Sequence, residues 1–188
     1  MGSLLKVSLA VLLLSTTATS FDPGGLEYYS EDFSLTINND GSGELAIAYK
    51  NFGSKEERSS LRKKDLSNLK DSVMSNSYVE QASSEGVDVS ERRLEYEGFT
   101  LNAFIRAKSR AYGKLFQVFT HYKFEVQDMI YITPLNGIVG QASLSEGGKI
   151  VIRNNMYTFS WPTDTKNLTF TAVYKITGAS FASELRKR

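Results

Sequence analysis

The sequence predicts an α+β domain in which helices pack on one face of a mostly antiparallel sheet. Three observations carry that prediction. Apolar residues alternate at period two through several short runs, two other stretches repeat them at helical spacing, and the chain reads in order as strand pair, helix, strand pair, helix, meander.

In the first run Phe33, Leu35 and Ile37 share one face, and in the second Leu45, Ile47 and Tyr49 do the same. The Asp40-Gly41 and Ser42-Gly43 steps between them are turn signals, so the two form a hairpin. Asp40 and Glu44 supply too few oxygens for calcium, which takes six to eight. Residues 53–64 are polar and charged and read as a solvated loop or helix face. Leu66, Leu69 and Val73 then recur at helical spacing behind Asp65, which predicts an amphipathic helix over 65–74.

A second strand pair follows, Val87 to Tyr96 and Phe99 to Ile105, with a bulge expected near 91–93 and a turn at Glu97-Gly98 that sets Tyr96 against Phe99. Ala111, Tyr112, Leu115, Phe116 and Phe119 form a stripe that predicts a helix over 109–120; Gly113 weakens it, and Phe116 to Phe124 reads alternatively as extended. The meander begins with a strand over 129–132 stopped by Pro134. Residues 142–146 and 149–153 make a hairpin about Gly147-Gly148, with Glu146 facing Lys149. Asn154-Asn155 turns the chain again and pairs Ile152 with Tyr157 and Ile150 with Phe159. A last strand carries Leu168, Phe170, Ala172, Tyr174 and Ile176 on one face.

Four segments are therefore expected: a signal peptide over 1–20, a flexible leader over 21–32, one domain over 33–178 and a basic tail over 179–188. The signal reading rests on Lys6, the apolar run Val7 to Leu14, and the small-x-small triplet Ala18-Thr19-Ser20 ahead of Phe21. That run is shorter than the roughly 20 residues of a membrane span, so the product is expected to be exported to the periplasm or the exterior, with no stable span after cleavage.

Composition narrows the chemistry. There is no cysteine, which removes disulfides, thiolate metal sites and a cysteine nucleophile. Loss of Lys6 brings the 22 basic residues level with the 21 acidic ones, and balanced charge gives no footprint for nucleic acid. The single histidine, His121, has no second His or Cys to complete a metal site or dyad. No phosphate loop, dinucleotide fingerprint or nucleophile elbow is present, so no cofactor is implied. Glu91, Glu95 and Glu97 could supply paired carboxylates, although their alternation with Arg92, Arg93 and Leu94 also suits a solvated strand face. Asn167-Leu168-Thr169 fits the N-glycosylation triplet.

Tyr157, Phe159, Trp161, Phe170 and Tyr174 are the candidate ligand-binding residues. They read either as the core under the helices or as the wall of an apolar cavity between sheet and helices.

The turn at Asp40-Gly41-Ser42 within 33–50, the helix over 65–74 and the step Tyr96-Glu97-Gly98-Phe99 together resemble the LppM-type envelope proteins of bacteria. The chain departs from that pattern in lacking a lipobox cysteine and a C-terminal membrane segment. The resemblance implies an envelope-associated lipid- or glycolipid-binding domain without catalysis. The expected function is accordingly an exported, non-enzymatic binding module for an envelope lipid or other apolar ligand. A surface domain that binds another envelope protein is the alternative, and a carboxylate-based hydrolase the second.

Overall fold

The computed structural model describes residues 26–135 and 137–186; the expected signal segment lies outside them. The described chain is α+β, built on two antiparallel sheets. The larger contains β1 (Leu26–Ile37), β2 (Gly43–Ser54), β3 (Val87–Glu97), β4 (Thr100–Ser109), β7 (Ile138–Leu144), β10 (Asn167–Lys175) and the short β11 (Ala179–Ser180). Its order is β3-β4-β2-β1-β10-β7, with β11 paired to the end of β2. The smaller has the order β5-β6-β9-β8, formed by β5 (Tyr122–Val126), β6 (Met129–Pro134), β8 (Lys149–Arg153) and β9 (Met156–Pro162).

Alternation decides which face of the large sheet is buried. Phe33 and Leu35 on β1 stand between Ile47 and Leu45 on β2 and Phe170 and Leu168 on β10. All six are at most 2% exposed. The small sheet closes over part of that face with Ile130, Ile132, Phe159 and Trp161. Phe33 stacks on Phe170 at 4.6 Å between ring centres, and Phe159 reaches Phe170 from the opposite sheet at 4.5 Å. The helices α1 (Ser59–Met74) and α2 (Asn76–Ser84) add Leu66, Leu69, Val73, Tyr78 and Ala82 to the same core. Each large side chain so buried contributes about 1.5–3 kcal/mol.

Several expectations give way. Residues 26–32 belong to β1 and are not a leader, and α1 begins at Ser59, six residues before Asp65. The polar stretch from Gln81 is the end of α2, closed by Gly86 at φ +79°. The bulge of β3 lies between Val89 and Glu91, and the turn residues are Gly98-Phe99, so Tyr96 faces Leu101 instead of Phe99. The helix expected over 109–120 shrinks to a 3-10 turn at Tyr112–Lys114 and α3 (Leu115–Val118), because Leu115, Phe116, Val118 and Phe119 are all buried and leave no polar face for a surface helix.

The single meander is replaced by strands of two sheets. β8 and β9 pair with Ile152 against Tyr157 and Ile150 against Phe159. β7, however, pairs with β10, so the hairpin setting Glu146 against Lys149 does not form. Gly147, at φ +77°, and Gly148, where a Cβ would lie 2.7 Å from both Leu144 and Trp161, turn the chain from one sheet to the other. The expected tail is docked as well: Phe181 is 1% exposed, and Glu184 of α4 (Ala182–Leu185) is ion-paired to Arg62 at 2.8 Å.

Candidate functional site

Of the five aromatic candidates, Phe170 is among the residues that border a groove on the outward face of the large sheet, and the other four are not. Phe159 and Trp161 extend from β9 and Phe170 and Tyr174 from β10, and all four are core residues between the sheets. Tyr157 is 39% exposed on the β8–β9 hairpin. The Trp161 indole donates to Ser145 Oγ at 3.1 Å, which ties β9 to the chain leaving β7. Glu91 and Glu95 each pair with Arg93 on the solvent side of β3, so the guanidinium separates the carboxylates that a two-carboxylate site would need together. Glu97 lies at the exposed end of the strand. Asp40 accepts from the backbone N and hydroxyl of Ser42 in the β1–β2 turn. Asn167 opens β10 and is exposed. Among the described residues no three His, Asp or Glu side chains gather as a metal site requires, and no helix is long and apolar enough to cross a membrane.

Two features were not anticipated. The first is a groove of about 540 Å³ on the outward face of the large sheet. Its floor follows directly from register. Phe104, Ala48, Asp32, Thr171 and Ser143 form one row across β4-β2-β1-β10-β7, and Ala46, Ser34 and Thr169 form the centre of the next. Five strands at about 4.8 Å spacing give that row a length of about 19 Å. The floor is low where Ala46, Ala48, Ser34 and Ser143 stand, and Asp32 lies at the middle of the first row. Phe104 rises at one end, with the Arg93 guanidinium 4.1 Å and the Arg106 guanidinium 5.5 Å from its ring centre. Asp32 is held by Lys50 at 2.5 Å and by the Thr171 hydroxyl at 2.8 Å. The sequence signal was present in the outward positions of β1, β2 and β10, where small residues alternate with the core residues.

The second feature is a polar cluster inside the core. Glu31 takes an inward position on β1 opposite Tyr49 of β2. Tyr122 of β5 donates to its Oε2 at 2.8 Å, and Tyr174 of β10 donates to its Oε1. Tyr49 is in turn hydrogen bonded to His121 Nε2. Tyr28 completes the enclosure, its ring 4.9 Å from that of Tyr49 and 5.1 Å from that of Tyr174. Burial raises the Glu31 carboxyl to about 7, and the tyrosine hydroxyls partly offset it. Burial lowers His121 to about 3. The four phenols are pushed well above their ordinary value, first by burial and next by the field of Glu31. A carboxyl poised near neutrality suits proton transfer, but Glu31 is fully enclosed and out of reach of a substrate.

No protein-family model, curated protein or solved structure matches the chain.

Proposed function

We propose that the protein is a non-catalytic binding module whose site is the outward groove of the large sheet, and that its ligand is a narrow amphipathic chain such as the acyl chain of an envelope lipid. The groove is the observation that carries this reading. Ala46, Ala48 and Phe104 offer apolar contact on the β2 and β4 side, the Asp32 carboxylate paired to Lys50 lies at the middle, and Ser34, Ser143 and Thr169 supply polar groups at intervals of one strand. Its volume lies within the range of small-molecule sites. Phe159 packs on Phe170 and Trp161 is fully buried, which favours this outward face over the core as the place for a ligand. Expected export and the resemblance to envelope lipid-binding domains favour a lipid over other amphipathic chains.

Oleate titrated into the isotope-labelled protein is expected to shift amides of β1, β2 and β10 saturably. Ala48→Arg places a long cation on the floor and is expected to weaken that binding by tenfold or more with an unchanged far-UV spectrum. Equal binding by the two proteins, or shifts confined to other strands, overturns the assignment of the site.

A further inference from the structure

Glu31 and His121 lie at two hydrogen bonds that join the small sheet and its leading residue to the large one, Glu31 to Tyr122 and Tyr49 to His121. The four residues form a circuit. His121 and Tyr122 are consecutive, with ring centres 4.2 Å apart, and Glu31 and Tyr49 are cross-strand partners. We infer that burying this acid and this base together makes the junction between the two sheets insensitive to pH from mildly acidic to neutral solution, each group cancelling the other's titration.

The groups facing Glu31 are Tyr28 from its own strand, Tyr49 from β2, Tyr174 from β10 and Tyr122 from β5, with His121 behind Tyr49. Asp32 is adjacent in sequence but points to the other face, where Lys50 holds it. The carboxyl thus meets phenols and no cation among these neighbours, which leaves burial as the dominant influence on its proton. The same burial acts on His121 in the opposite sense, since protonation is what charges an imidazole.

The signs follow from linkage. Glu31 releases its proton near 4.5 when unfolded and near 7 when folded, so alone it stabilises the fold at low pH, and that stabilisation is lost as pH rises through 7. His121 binds a proton below 6.5 when unfolded but only near 3 when folded, so alone it stabilises the fold at high pH, and that stabilisation is lost as pH falls from 6.5. Between about 4.5 and 6.5 the unfolded chain carries one proton on His121 and the folded chain one proton on Glu31. Folding transfers a proton from base to acid and binds none. The two slopes cancel without any change of structure.

Four proteins test this: wild type, Glu31→Gln, His121→Gln and the double variant, unfolded by urea at pH 5 and pH 8. Both substitutions mimic the neutral side chain. Referred to the double variant, which removes every other titrating group from the comparison, the unfolding constant of Glu31→Gln is expected to rise on the order of 30-fold from pH 8 to pH 5. That of His121→Gln is expected to fall by a similar or larger factor, and that of wild type to stay within a few-fold. A tenfold or greater drift in wild type, or single variants whose slopes share a sign, overturns the inference. Should either variant fail to fold, NMR titration of the wild type decides: a Glu31 midpoint near 7 with His121 neutral down to pH 4 sustains it, and a Glu31 midpoint below 5 or a His121 midpoint above 6 overturns it.

Discussion

Arg62 is one residue whose loss would release a whole segment. Its guanidinium donates to Glu184, a carboxylate 4% exposed, and to the backbone carbonyls of Glu56 and Glu57 ahead of α1. Removing one partner of such a pair costs about 3–5 kcal/mol because the other charge stays out of water. Arg62→Met is therefore expected to lose about 3 kcal/mol in urea unfolding, whereas exchange of both members for Met and Leu recovers most of it. A double variant no more stable than the single one would show that the pair is not the cause. Sequence alone could not show this, since Arg62 reads as part of a solvated charge run and Glu184 as part of a tail. Glu31 was hidden for a related reason. A carboxyl at an inward position interrupts the apolar alternation by which the first half of β1 could otherwise be recognised.

Among the elements, those fixed by local chemistry were the legible ones. The β8–β9 hairpin has its register set by Asn154 and Asn155, both at positive φ, and α1 buries the residues its spacing selects, Leu66, Leu69 and Val73. Elements fixed by distant partners were not legible. Nothing within 138–144 indicates that β7 pairs with β10, and the short β11 has no pattern of its own. What positions β11 is the absence of side chains. A Cβ on Gly53 would sit 2.4 Å from the Ala179 carbonyl oxygen, and one on Gly178 would sit 2.2 Å from that of Ser54. Backbone cannot give way as a flexible side chain does. Gly53→Ala is expected to cost about 1–3 kcal/mol and to open the chain to protease between 177 and 186. Unchanged proteolysis would show that β11 tolerates the displacement. The groove belongs between these cases, because its small residues are visible in sequence but their alignment into a row needs the pairing of β1 with β10.

At the scale of the molecule, the strand described first and the long strand described last are neighbours in the middle of the large sheet. Glu31 stands opposite Ala172, and Phe33 opposite Phe170. Pairings so distant in sequence must close a large loop before they gain anything, so refolding is expected on a scale of milliseconds to seconds. A stopped-flow phase in microseconds, followed by the single tryptophan, would contradict this. A chain ended at 166 is expected to remain unfolded, since β1 and β7 then lose their shared partner and the aromatic core loses Phe170 and Tyr174. A cooperative urea transition in that fragment would refute the requirement. On that expectation synthesis and folding are separated in time, because β1 and β7 gain their shared partner only once β10 has emerged. If the export expected from residues 1–20 takes place, that late closure would serve as a timer, set by which strand completes the sheet.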